Sequence, residues 1–153
     1  MLRVVGVGNP WRCDDGAGLA VARLLAGTLP GDVELLEREG EPASLIDAWE
    51  GAETVWLADA ISSGAAAGTV RRLDASAEEL PAELFRTSTH HLGLADAVEL
   101  ARAIGKLPQH LIVYGIEGAR FEIGDELSAE VRSGSEQAAA AIREEVLACT
   151  STR

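Results

Sequence analysis

The sequence predicts an α/β fold with three layers, in which helices cover both faces of a mostly parallel central sheet. Short runs of apolar, β-branched residues alternate along the chain with longer segments whose apolar residues recur at helical spacing. This alternation is typical of parallel strands joined by crossover helices. With 153 residues, 47% of them hydrophobic, the chain has the size and apolar content of a single domain, residues 1–153, with a packed core.

The first part of the chain predicts two strands and two helices in alternation. Leu2–Val7 is a β-branched run that ends in glycines, as a buried strand does. Residues 16–29 carry apolar side chains at helical spacing, and Pro30-Gly31 ends this helix. Residues 33–36 form the next predicted strand, and Pro42–Trp49 forms a short helix with its apolar residues on one side.

The remaining part predicts three strands and two helices. Thr54–Ile61 is the clearest strand, an apolar run interrupted by one acid. Residues 68–73 form a weaker strand whose two adjacent arginines suit a sheet edge, so the sheet has room for one antiparallel edge strand. The last three predicted elements are an amphipathic helix over residues 92–104, a buried strand over residues 110–116 and a long helix over residues 128–149.

Finer predictions concern the two later helices. In helix 92–104, Ile104 is expected to lie on the apolar face. A glycine in mid-helix weakens it, so Gly134 is expected to break or kink helix 128–149. Near the end of that helix, Leu147 is expected to face inward.

Composition and charge limit the classes of partner. Thirteen Lys and Arg against twenty-five Asp and Glu give a net charge of −12, so nucleic acid and anionic membranes are unsuitable partners. The two cysteines, Cys13 and Cys149, are far apart and lack metal-ligand spacing, which favours reduced thiols. The sequence has no apolar run that could span a bilayer and no signal-peptide pattern. We therefore expect a cytoplasmic protein.

The first predicted strand is followed by a glycine-rich loop that ends in two acids. Gly6 and Gly8 are spaced as in the dinucleotide-binding motif, but that motif needs a third small residue where this sequence has Trp11. The loop also brings Asp14 and Asp15 to the start of the next helix, where they would compete with a phosphate for the helix N-terminus. A nucleotide-binding α/β domain is therefore an alternative that the sequence disfavours.

Acids and histidines in three separate segments are candidates for one site. In proteins with a mostly parallel sheet, ligands bind beyond the carboxyl ends of the strands. One acid of the pair Asp14 and Asp15 is expected to cap the helix, which leaves the other free. Asp59 lies inside an apolar strand and must be paired, hydrogen-bonded or metal-bound. His90 and His91 precede a helix and are either exposed or part of the site. Two carboxylates and an imidazole suit zinc or nickel and leave coordination positions open.

Four segments of the chain follow one another in a pattern found in a known family. They are Gly6 to Gly18 (GVGNPWRCDDGAG), Ala58-Asp59-Ala60, His90 to Ala97 (HHLGLADA) and Val113-Tyr114-Gly115. They resemble, in this order, the GxGNxxxxDDGxG motif, the central strand ending in ADA, the HxLGLADV segment and a later strand with VxG. This is the pattern of the endopeptidases that mature the large subunit of nickel–iron hydrogenases, and it spans nearly the whole chain.

The resemblance implies an endopeptidase that removes the C-terminal extension of the hydrogenase large-subunit precursor after nickel has been inserted. In that family, two carboxylates and a histidine recognise the nickel that the substrate carries. By position these catalytic and metal-binding residues are Asp15, Asp59 and His90. The histidine of the family precedes the xLGL segment, which selects His90 over His91. Nickel is then the expected cofactor, carried by the substrate and bound weakly or not at all by the isolated protein.

The sequence departs from the family pattern after the second predicted strand. Where the family often has an Asp-Gly-Gly-Thr loop, residues 37–42 have the sequence EREGEP, with one glycine and three acids. Glu37 takes the place of the aspartate. Because this loop follows a strand end, the change is expected either to alter substrate choice and activity or to offer acids to a basic patch on the hydrogenase subunit.

Two alternatives to the endopeptidase stay open. In the first, the same trio of side chains recognises a nickel-loaded client without cutting it, so the mass of the client would not change. In the second, the chain is a nucleotide-binding domain, which a nucleotide would stabilise against heat. For any of these, Trp11 in the first loop is expected to be an exposed aromatic anchor for a partner, whereas Trp49 and Trp56 are expected in the core.

Overall fold

A computed structural model of the chain describes residues 1–85 and 93–151. The strands among these residues are β1 (Leu2–Val7), β2 (Val33–Arg38), β3 (Thr54–Ile61), β4 (Val70–Asp74) and β5 (His110–Glu117). The α-helices are α1 (Ala17–Leu25), α2 (Pro42–Trp49), α3 (Leu94–Ala103) and α4 (Ala129–Ser151), and two short 3-10 helices cover Cys13–Gly16 and Ala82–Phe85. In the described part of the chain, every helix is too short or too polar to cross a bilayer.

The five strands form one sheet in the order β2-β1-β3-β5-β4. All neighbouring pairs are parallel except β4 and β5, which are antiparallel, so the expected antiparallel edge strand is β4. From β1 the chain moves outward to β2 and then returns to the other side of β1 to form β3. The order therefore reverses between β1 and β3, and a crevice opens beyond the carboxyl ends of these two strands.

Each face of the sheet has its own hydrophobic core, which confirms the predicted three layers. Side chains of α1 and α4 pack on one face, and side chains of α2 and α3 pack on the other. Successive residues of a strand point to opposite faces. In β3, Trp56 and Ala58 belong to the first core, and Leu57 and Ile61 belong to the second. By the same alternation, Asp59 lies on the face that α2 and α3 cover.

Close contact between α1 and the sheet accounts for a glycine of the first loop motif. A Cβ placed on Gly18 would lie 2.2 Å from the carbonyl oxygens of both Val7 and Ala58. Only a residue without a side chain lets the helix approach β1 and β3 this closely. The glycine at this position thus brings the start of α1 against the two strands that border the crevice.

Substituting Gly18 tests this close approach. We expect Gly18→Ala to destabilise the protein by about 1–3 kcal/mol, because backbone atoms on both sides must move to admit the methyl group. Urea denaturation measures the free energy of unfolding. Gly31→Ala is the control, since a Cβ at Gly31 would meet no atom within 4 Å. Equal stabilities of the two variants would contradict the packing argument.

Helix α4 differs from the sequence prediction in two respects. It continues through Gly134 without a break, and a Cβ at this position would lie 2.4 Å from the carbonyl oxygen of Gly68. The glycine therefore permits close packing of the helix on a loop. Leu147 is 46% exposed, because Ile142 and Val146 occupy the buried stripe and the next residue turns away from it.

Helix α3 also ends before its expected last residue. Ile104 follows the helix and is 52% exposed, so the expectation that it belongs to the buried face was wrong. The buried stripe of the helix ends at Ala101. Trp49 and Trp56 are both in the core, as expected, and Trp11 is 69% exposed.

Candidate functional site

A small cleft lies beyond the carboxyl ends of β1 and β3, where the strand order reverses. Its lining comes from the loop after β1, the loop after β2, the end of β3 and the residues on either side of segment 86–92. The lining residues are Val7, Gly8, Asn9, Asp15, Glu39, Gly40, Asp59, Phe85, Gly93 and Leu94. The strand-end rule therefore located the cleft correctly, and two of the three expected site residues line it.

The first of these, Asp15, is held by the 3-10 helix that precedes α1. The side chain is only 1% exposed, and its Oδ2 accepts a hydrogen bond of 3.1 Å from the backbone N–H of Asn9. The Asn9 side chain in turn accepts a 2.9 Å hydrogen bond from the backbone N–H of Trp11. These two contacts fold the glycine-rich loop around the carboxylate, so Asn9 acts as a turn residue here.

The second acid, Asp59, comes from the central strand. It is 6% exposed, and its Oδ1 accepts a 2.8 Å hydrogen bond from the backbone N–H of Ala60. Burial, followed by repulsion from the Asp15 carboxylate, raises the pKa of Asp59 well above its ordinary value of 3.8. The Ala60 contact opposes this rise without cancelling it.

The acid pair has the chemistry to accommodate a cation. Two nearby buried carboxylates repel each other, and a divalent ion would relieve that repulsion and favour the ionised form of both. Across residues 1–85 and 93–151, no three His, Cys, Asp or Glu side chains form a group able to hold a metal ion. The described residues thus contribute an acid pair, and a third protein ligand would have to come from elsewhere.

The expected third ligand, His90, lies with His91 outside the described residues. The residues on both sides of this segment, Phe85 and Gly93, line the cleft. A Cβ on Gly93 would be 2.6 Å from the carbonyl oxygen of Phe85, so the two ends of the segment touch. The role of His90 stays a prediction.

The neighbouring acid, Asp14, has a different task from Asp15. Neither the 3-10 helix nor α1 has a side-chain hydrogen bond at its N-terminus, so the expectation that one of the pair caps its own helix was wrong. Instead, the buried Asp14 carboxylate accepts four 2.8 Å hydrogen bonds from the segment after β5. The donors are the backbone N–H groups of Ala119, Arg120 and Ser128 and the Ser128 hydroxyl.

These contacts also determine the ionisation of Asp14. Burial alone would raise the pKa of its carboxyl, but the hydrogen bonds from Ser128, Ala119 and Arg120 outweigh burial. The pKa therefore lies below its ordinary value of 3.8. Asp14 is a charged anchor that attaches the loop after β5, and with it the start of α4, to the loop after β1.

Two contributions to the cleft come from outside the expected trio. Glu39 and Gly40 place the loop after β2 in the cleft wall, as expected from its position at a strand end. Phe85 was not anticipated, and only its position next to the histidine segment pointed to it. Cys13, which sequence analysis had left without a role, is buried beside Gly124, where the two loops form a short β-bridge.

Comparison with known sequences finds relatives named for hydrogenase maturation or for hydrogenase expression and formation. The family model described as hydrogenase maturation protease matches residues 20–145. The hydrogenase 2 maturation protease of Escherichia coli K12 is 34% identical over 150 residues, covering 92% of this chain and 90% of that protein. The hydrogenase expression/formation protein HupD of Thiocapsa roseopersicina is 27% identical over 123 residues, which cover 78% of this chain and 55% of that protein. The chain therefore spans about half the length of HupD.

Solved structures agree with the sequence comparison. The hydrogenase maturating endopeptidase HybD from Escherichia coli superposes with a TM-score of 0.77 at 28% identity, covering 94% of this chain and 93% of that one. An endopeptidase from Escherichia coli, determined in solution, gives a TM-score of 0.78 at 28% identity, with 92% and 88% coverage. The family match includes Asp59 and His90, whereas Asp15 precedes it.

Proposed function

This chain belongs to the hydrogenase maturation protease family, and from that premise we propose that it is an endopeptidase. Its substrate is the precursor of a nickel–iron hydrogenase large subunit, from which it removes the C-terminal extension after nickel insertion. The observation that best supports this proposal is the meeting of Asp15 and Asp59 in one cleft at the strand-order reversal. Family membership supplies the reaction class, and the acid pair supplies chemistry that suits it.

In this proposal, Asp15, Asp59 and His90 recognise the nickel that the precursor carries. Carboxylate and imidazole groups are suitable ligands for nickel, and three protein ligands leave positions for the substrate and water. The raised pKa of Asp59 fits this role, because a cation delivered by the substrate would displace the proton that repulsion from Asp15 helps to retain. The acid pair is therefore better satisfied with the loaded substrate than without it.

Hydrolysis of the extension adds water across one peptide bond. The water oxygen bonds to the carbonyl carbon, the C–N bond breaks, and one proton passes from the water to the departing amine. Substrate nickel can polarise the carbonyl or lower the pKa of a bound water. We assign the proton transfer to Asp59, because its carboxylate lies at the end of the central strand and lines the cleft.

The glycine-rich loop offers little to the nucleotide-binding alternative. A Cβ at Gly8 would lie 2.1 Å from the Asp15 carbonyl oxygen, so this glycine permits a close contact within the protein. The backbone N–H of Asn9 donates a hydrogen bond to the Asp15 carboxylate. A phosphate bound by this loop would need the same donor. Client binding without cleavage remains the competing function, and the mass of the precursor distinguishes it from proteolysis.

The histidine pair allows a matched test of the proposed site. We expect His90→Gln to slow the processing of a nickel-loaded precursor by about a hundredfold or more, since it removes a proposed ligand for the nickel that the precursor carries. His91→Gln should process at nearly the wild-type rate. Mass spectrometry of the precursor over time measures both. An equal loss of rate in the two variants, or no loss in His90→Gln, would contradict the assignment. A precursor that stays intact with the wild type would favour client binding without cleavage.

Metal affinity of the isolated protein provides a second test. A site that checks substrate nickel must not be filled permanently, so we expect nickel to bind the free protein with a Kd above about 1 μM at neutral pH. Binding should tighten as the pH rises, because Asp59 must lose its proton. Isothermal titration at several pH values measures both effects. Sub-nanomolar nickel binding by the isolated protein would contradict the proposed check.

A further inference from the structure

A groove between α2 and α3 exposes apolar side chains on the surface beside the cleft. We define the α2–α3 groove by Glu41, Ile46, Asp47, Glu50, Leu100 and Ile104. Leu100 is 47% exposed and Ile104 is 52% exposed, although both come from a segment whose other apolar residues are largely buried. The groove therefore presents an apolar floor with acidic side chains around it.

The groove continues from the candidate cleft along both of the elements that border it. Gly40 lines the cleft, and Glu41, the next residue, lines the groove. Leu94 lines the cleft at the start of α3, and Leu100 lines the groove farther along the same helix. The ten residues of α3 span about 15 Å, which an extended peptide of about four or five residues would cover.

The charge of the groove selects the kind of occupant. Its rim carries three acids, Glu41, Asp47 and Glu50, and one base, Lys106, which lies 3.1 Å from Glu50; outside the rim, Arg38 lies 3.9 Å from Asp47. Acids thus outnumber bases on the rim. A second copy of the chain, with its own net charge of −12, would be repelled by this surface. A segment with apolar and basic side chains complements both the floor and the rim.

We propose that the α2–α3 groove binds a peptide segment of the precursor about four or five residues from the cut bond, and that this segment carries apolar and basic side chains. The identity of the partner rests on the proposed function, whereas the chemistry of the segment rests on the groove itself. The groove holds the substrate from about four or five residues away while the cleft engages the bond to be cut. It therefore determines which precursor sequences are accepted.

Fluorescence anisotropy with a labelled hexapeptide tests the groove without any cleavage. The probe is LKVRLK, and its acidic counterpart is LEVELE. We expect saturable binding of LKVRLK to the wild type, weakened about fivefold to tenfold by the double substitution Leu100→Gln and Ile104→Gln and by raising the salt concentration. The control is Leu24→Gln with Leu147→Gln, which removes exposed leucines from the opposite helical layer (42% and 46% exposed) and should leave binding unchanged.

Several outcomes would overturn the proposal. They are the absence of saturable LKVRLK binding to the wild type, equal binding of LEVELE, or equal weakening by the control pair. With the loaded precursor, the groove variant should raise KM about fivefold to tenfold with little change in kcat, as expected for uniform binding. Saturable LKVRLK binding together with a nickel-loaded precursor that the wild type leaves intact would support the groove and contradict the proteolytic function. Cleavage of the loaded precursor at an unchanged rate by the groove variant would support the proteolytic function and contradict the proposed role of the groove.

Discussion

Asp59→Asn is expected to lower the rate of precursor processing by about a thousandfold or more. Asparagine has nearly the same shape as aspartate, but it can neither accept the proton released by water nor offer a charged ligand to nickel. The residue lies at the end of a buried strand, and its carboxylate lines the cleft near Asp15. The rate of mass loss of a nickel-loaded precursor measures the effect.

The same substitution should leave the fold intact and at least as stable at neutral pH. Because the pKa of Asp59 is raised in the folded state, its contribution to stability is fully present below the unfolded value near 3.8. That contribution is lost as the pH rises through the folded pKa. Asparagine stays neutral, so the stability advantage of Asp59→Asn should grow with increasing pH. Urea denaturation across this range measures the difference.

Asp125→Asn is the matched control for both readouts, since it neutralises an exposed acid near the same end of the sheet. It should change neither processing nor the pH dependence of stability. Full processing by Asp59→Asn would remove this residue from the proposed mechanism. A large loss of stability in Asp59→Asn would mean instead that the charge of Asp59 supports the fold.

Asp14→Ala is expected to destabilise the protein by about 3–5 kcal/mol. The substitution leaves three backbone N–H groups and one hydroxyl without the carboxylate that now accepts from them, in the loop from Ala119 to Ser128. Burial prevents water from replacing all of these hydrogen bonds. The free energy of unfolding in urea measures the loss. Asp125→Ala removes an exposed acid of the same loop and should change stability by less than about 0.5 kcal/mol.

The pH dependence gives this prediction a second test. The folded pKa of Asp14 is lowered, so its stabilisation is present above the unfolded value of 3.8 and is lost as the pH falls through the folded pKa. The difference between wild type and Asp14→Ala should therefore shrink in acid. A constant difference across this range would show that lost packing, and not the lost charge, weakens the variant.

Local patterns in the sequence were sufficient for most of the fold. Two elements, the strand Thr54–Ile61 and the helix Pro42–Trp49, have the predicted boundaries. Their signals are the spacing of apolar residues, the residues that end an element and the proline that begins the helix, and each of these signals acts over only a few residues. The position of the cleft followed from the parallel order of the strands. Two residues that the family resemblance singled out, Asp15 in the 3-10 helix before α1 and Asp59 at the end of β3, both line this cleft.

Only the tertiary structure shows that the two adjacent acids, Asp14 and Asp15, have different roles. Asp14 and Asp15 are adjacent and chemically identical, yet one anchors a loop more than 100 residues away and the other lines the cleft. The exposure of Ile104 and Leu100 was likewise beyond the sequence pattern. Helical spacing determines which residues share a face, whereas burial depends on whether another part of the chain packs against that face, and such contacts arise only when distant segments meet.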